Sequence, residues 1–202
     1  MKRQLRALAD FWRAQFGHFV CITAIAFLAI LVLSYVAGLL FPGLCTSVVD
    51  YFSEIMASSG VMDDTGAVSP LGLFGNNLRA TLATMLYGFI PFLYLPALSL
   101  GVNAIVLGVM AAYYTHNGIS LLVFLSGILP HGIFEIPALL LSMAGGLCLC
   151  KNINTYIRKN EKGVMKPLLL NLLRVACLLL PLLAVAAVLE AYVTPLVMSL
   201  FL

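Results

Sequence analysis

Residues 19–41, FVCITAIAFLAILVLSYVAGLLF, run for 23 residues without a charged side chain. As an α-helix this stretch covers roughly 35 Å, enough to cross about 30 Å of hydrocarbon with some tilt. A cleaved secretory signal has a shorter apolar core and a small-residue cleavage site, so 19–41 is expected to be an uncleaved first span. The rest of the chain matches it. Of 202 residues, 62% are hydrophobic and 9% charged, and the mean hydropathy is +1.07. A soluble domain carries about 25% charged residues, and so few charges cannot supply a polar skin. Composition therefore excludes a soluble globular domain, a disordered tail and a fibrous repeat. Transmembrane barrels alternate apolar and polar residues, whereas these runs are unbroken. The expected fold is all-α: a polytopic transmembrane helical bundle forming one integral membrane domain over 1–202.

The charges cluster at the ends and loops. Five lie in 1–18 (Lys2, Arg3, Arg6, Asp10, Arg13), five in 42–79 (Asp50, Glu54, Asp63, Asp64, Arg79) and seven in 151–174 (Lys151, Arg158, Lys159, Glu161, Lys162, Lys166, Arg174). Cytoplasmic loops are enriched in Lys and Arg. This places the basic N-terminus (1–18) and the basic loop (151–166) inside the cell, and the acidic segment at 42–80 outside. The net charge of +3 then describes orientation and contact with the lipid bilayer, not nucleic acid. With Phe11, Trp12 and Phe16, the N-terminus reads either as an amphipathic helix on the inner leaflet or as a short solvated helix with an interface anchor. The five cysteines are scattered and imply no external disulfide framework. Cys148 and Cys150 lack a second ligand pair and read as helix packing.

Pro42-Gly43 ends the first span. Residues 46–62 place Val48, Val49, Phe52, Ile55 and Met56 on one helical face, with Asp50 and Glu54 elsewhere. This is an amphipathic helix for the outer surface, followed by a turn at Asp63-Asp64-Thr65-Gly66. Residues 81–100 and 101–114 are read as the second and third spans, joined by a tight turn near 99–101. Ala104, Gly108 and Ala112 form a small-residue ridge that lets helices approach closely, within one chain or between two copies of a homodimer. The stretch 118–150 has one interruption, Leu129-Pro130-His131-Gly132. Either a re-entrant piece (119–129) precedes a full helix (132–150), or two short helices meet at the break, in protein or beside a wet cavity. The last span covers about 167–191. The expectation is five full spans plus a re-entrant or broken segment, with six spans as the alternative.

His131 and Glu135, four apart after Pro130, share one helical face. An ionisable residue inside a span is costly unless paired and is a functional candidate. Glu135 pairs most simply with His131; Arg79, Asn76, Asn77 and Asn103 are further candidate partners. The group is either a structural latch around Pro130 and Gly132 or a polar centre for protons, a metal or a substrate. A zinc hydrolase of the His-Glu-x-x-His type needs a second His four residues on, where Glu135 stands, so neither a metal nor another cofactor is assigned. There is no G-x-S-x-G elbow and no P-loop. No catalytic residues are assigned, and no enzyme activity is expected. A small-solute or ion transporter or channel subunit, with a site at His131–Glu135, is the alternative that the broken region suggests.

Taken in order, Phe74-Gly75-Asn76-Asn77, then Gly88, Pro91, Asn103 and Gly108, then Leu129-Pro130-His131-Gly132 with Glu135 and Ala144-Gly145-Gly146, resemble the stage II sporulation protein M family. The likeness runs from about residue 11 to 186, and Leu-Pro-His-Gly-x-x-Glu is its most specific part. The resemblance implies a multi-pass protein of the bacterial cell membrane. In sporulating cells this is the septal or engulfing mother-cell membrane. There it would act as a scaffold that anchors two cell-wall-degrading partners, the stage II sporulation proteins D and P, during forespore engulfment. The family also has relatives in organisms that do not sporulate. A chain of this size with no extra domain favours the sporulation type. Asp50, Glu54, Asp63 and Asp64 are the expected partner surface.

Overall fold

The structure, a computed structural model, describes residues 2–58, 69–159, 163 and 165–201. These residues are helical throughout apart from short connections, with no strand among them. The helices are α1 (Lys2–Phe11), α2 (Gly17–Leu40), α3 (Pro42–Ser58), α4 (Pro70–Leu86), α5 (Pro96–His116), α6 (Leu121–Lys159), α7 (Met165–Val188) and α8 (Thr194–Met198). Wide π-helical turns, Trp12–Phe16 and Leu189–Val193, join α1 to α2 and α7 to α8. Among the described residues, four helical stretches are long and apolar enough to cross a membrane: Arg6–Leu40, Pro96–His116, Leu121–Lys159 and Met165–Met198. The 17-residue α4 is shorter than these.

Contacts fix the direction of each helix. Phe27 of α2 packs with Leu100 and Ala104 of α5, and His116 Nε2, at the far end of α5, lies 3.0 Å from the carbonyl of Gly38. So α2 and α5 run parallel. The Ser142 hydroxyl donates to the Thr81 carbonyl, and the Asn154 side chain holds Phe92. So α4 and α6 run parallel to each other, opposite to α5. Leu172 of α7 faces Gly145, whereas Thr194 beyond α7 meets His131, so α7 opposes α6. One end of the bundle carries Lys151 and Arg158, each over an aromatic ring (Phe19 at 5.4 Å, Phe92 at 5.5 Å). The other end carries α3 with exposed Asp50 and Glu54.

The small-residue ridge of α5 packs within the chain, against α2. A Cβ on Gly108 would strike the Leu31 carbonyl, and one on Gly38 would come within 2.6 Å of Ala112 Cβ. A second close approach joins Gly88 to the backbone of Gly146, with Pro96 beside it. Away from these seams the surface is apolar: Ile25 is 71% exposed, Leu33 68% and Leu98 67%. An apolar belt of this extent is a lipid-facing surface.

The structure revises several boundaries. Residues 81–100 are not one span. The α4 helix ends at Leu86, and a 3₁₀ turn and loop occupy 87–95, so the reversal falls well before 99–101. Pro91 explains this: it disfavours helix at Ile90, which is extended (φ −86°, ψ 106°). Phe92 and Tyr94 take left-handed φ values of 69° and 47°, and Pro96 opens the next helix at a position where a missing N–H costs nothing. Residues 118–150 contain neither a re-entrant piece nor a break, because α6 runs for 39 residues through both Pro130 and Pro137. Proline within a helix removes one backbone bond, but membrane helices tolerate it where neighbouring helices and hydroxyls satisfy the freed groups. The amphipathic helix starts at Pro42 rather than 46. Its Cys45 and Val48 pack on Val109 and Ala112, and burial pushes the Cys45 thiol pKa up. At the N-terminus, Phe11 and Phe16 are buried in the main core with Leu168 and Leu172. They anchor the end of α1 to the protein core, while Trp12 stays exposed.

Candidate functional site

The unbroken course of α6 places His131 and Glu135 one turn apart on the same side. His131 Nε2 lies 4.0 Å from Glu135 Oε2, with the side chains 14% and 28% exposed. The expected pairing is therefore present as a long contact. His131 Nδ1 lies 3.1 Å from Thr194 Oγ1, a bond that fixes the imidazole ring. Gly132 is buried, and the atoms nearest to where a Cβ would stand belong to Ile128 and Ile136 of its own helix. Pro130 is half-buried in the same turn.

Two adjoining cavities, of about 410 and 500 Å³, share the walls formed by Phe52, Asn103, His131, Glu135, Leu139 and Glu190. The second is also lined by Asn76, Asn77 and Arg79. The fold thus gathers around these cavities the buried-site residues that the sequence singled out, Pro130 excepted. It does not make them partners of the pair. Among the described residues neither Arg79 nor the three amides bonds to His131 or Glu135, and the amide nitrogen of Asn103 donates to the Ser99 carbonyl of its own helix (2.9 Å). Arg79 is exposed. Over the cavity lies α3, whose Phe52 and Ile55 reach its walls. Its Asp50 and Glu54 face outward, as the helical spacing predicts, while Asp63 and Asp64 lie outside the described residues.

Glu190 is the member that sequence reasoning missed. It stands in the π-helical turn after α7, and its carboxylate, that of Glu135 and a ring nitrogen of His131 all lie within 4.8 Å of one another. Its signal was present: with Glu135 it is one of two charges outside the three charged clusters.

Alternating helices, a lipid-facing belt and a polar cavity between the helices define a polytopic α-helical membrane protein. The sequence matches the family Stage II sporulation protein M over residues 18–195, and the chain belongs to that family. An uncharacterized protein of Methanocaldococcus jannaschii is 31% identical over 121 residues, which is 59% of this chain and 67% of that protein. No solved structure matches.

Proposed function

We propose that this chain is a non-enzymatic membrane scaffold that anchors and localises the peptidoglycan-degrading stage II sporulation proteins D and P during forespore engulfment. The observation that carries the reading is family membership across nearly the whole chain. The architecture fits it. The bundle offers lipid-embedded helices for anchoring and one amphipathic helix, α3, whose acidic face with Asp50 and Glu54 points away from the core. In this reading the five helices α2, α4, α5, α6 and α7 each cross the membrane. The basic end and N-terminus are cytoplasmic by the positive-inside rule, and α3 lies on the side where a wall hydrolase works.

The test is affinity purification from detergent-solubilised membranes of a spore-forming host in which this chain replaces the native protein. Proteins D and P should co-purify, and the Asp50→Lys, Glu54→Lys double variant should retain less of them at equal expression. Absence of both partners from the wild-type eluate overturns the proposal.

The cavity with His131, Glu135 and Glu190 favours a second reading, a small-solute or ion transporter or channel subunit, because transporters place binding sites between helices at mid-membrane. Ion or solute flux into proteoliposomes that is lost with Glu135→Gln would support it. Tight vesicles at every ion and pH gradient tried would exclude it.

A further inference from the structure

The cluster of His131, Glu135 and Glu190 has more in it than a latch needs. A latch of the kind the sequence suggests requires one acid and one base. Here a second carboxylate arrives from another helix, 55 residues further along the chain than Glu135, delivered by a π-helical turn that displaces the chain from regular α geometry. Two carboxylates within 4.8 Å of each other repel. Among the described residues no Lys or Arg is paired with either of them, and the sole ion-pair partner is His131 at 4.0 Å.

We propose that His131, Glu135 and Glu190 bind a divalent first-row transition-metal ion, with Zn²⁺ and Mn²⁺ as the matching chemistry, at the wall of the central cavity. The three donor atoms come from two helical segments and converge on one side. When Nδ1–H donates to Thr194 Oγ1, Nε2 keeps its lone pair free on the side of the Glu135 carboxylate. A second hydrogen bond of this type is what orients metal-ligating histidines. Tetrahedral Zn²⁺ ligation asks for donor separations of roughly 3.4 Å, so small side-chain rotations close the site. One neutral imidazole, two carboxylates and one divalent ion sum to zero charge, which suits a low-dielectric setting. The imidazole nitrogen selects a transition ion over Ca²⁺ or Mg²⁺, which prefer all-oxygen shells. The cavity leaves the remaining coordination positions open to water or to a ligand, with the Asn103 amide on the same wall.

The inference is independent of the scaffold reading, and its test uses the pure full-length chain. Protein in detergent is stripped with EDTA, dialysed and titrated separately with Zn²⁺, Mn²⁺, Mg²⁺ and Ca²⁺, with bound metal counted by mass spectrometry. About one equivalent of Zn²⁺ or Mn²⁺ per chain is expected to bind, with an increased Tm and no such gain from Mg²⁺ or Ca²⁺. Glu190→Gln and His131→Ala should abolish the stoichiometric site. Thr194→Val, which removes only the orienting hydroxyl, should weaken it about tenfold or more. Co²⁺ supplies a spectroscopic check that does not depend on stability: its visible bands should appear with wild type, vanish with Glu190→Gln and return with the donor-preserving Glu190→His. Failure of Zn²⁺ and Mn²⁺ to bind stoichiometrically, or binding that is indifferent to Glu190→Gln, His131→Ala and Thr194→Val, overturns the inference.

Discussion

Asn154 shows how much one side chain holds at the basic end. Its Oδ1 accepts the backbone N–H of Phe92 at 2.9 Å, in a loop where two non-glycine residues sit at positive φ. Phe92 is half exposed, so loss of this bond costs about 0.5–1.5 kcal/mol, the net worth of an ordinary hydrogen bond. Asn154→Ala is therefore expected to lower thermal stability in detergent by that order, whereas Asn117→Ala, whose exposed amide bonds back to the Tyr113 carbonyl at the end of α5, should change it little. Equal shifts in the two variants would show that the Phe92 contact does not hold the loop. Asn154 could not be read from the sequence, because an asparagine beside a basic loop looks like solvated surface. His131 and Glu135 could be read, because they are local: a spacing of four puts them on one face whatever the helix does elsewhere. Glu190 joins them only through tertiary structure, and nothing in its neighbours along the chain announces that.

At the scale of elements, two seams depend on the absence of side chains. Gly108 lies against the backbone of α2, while Gly101, also in α5, has nothing within 4 Å of where a Cβ would stand. Gly108→Ala should drive α2 and α5 apart and cost about 1–3 kcal/mol as an overpacked contact. Gly101→Ala should be neutral or slightly stabilising. The check is a pair of melting curves in the same detergent, and equal behaviour would mean the seam yields freely. The sequence announced this seam through small residues spaced four apart. It misled at 118–150 and 81–114 for one reason in two forms. Proline and glycine mark both true turns and tolerated positions inside buried helices, and only the neighbours decide which. Pro91, beside residues at positive φ, lies in the loop that follows a helix; Pro130, half-buried within α6, does not interrupt it.

At the scale of the whole molecule, the two ends differ in charge: Lys151 and Arg158 at one, Asp50 and Glu54 at the other. With the native cysteines replaced, Glu54→Cys should label with a membrane-impermeant maleimide in intact cells. Lys159→Cys should label only after permeabilisation. The opposite pattern would invert the proposed orientation, and labelling of both from one side would refute an odd number of crossings between them. Amphipathic α3 and the apolar spans made this polarity legible in advance. The cavity beneath α3 was not, since an internal space belongs to no segment of the chain.

The unbroken α6 has a mechanical consequence. Both of its prolines, Pro130 and Pro137, lie in its first half, and residues 138–159 contain none. That proline-free part is a stiff arm of roughly 33 Å. The arm ends in Arg158 and Lys159. Seated at Ser142 on Thr81 and at Gly146 on Gly88 and Pro96, the arm sets the separation between the acidic pair at one face and two cations at the other.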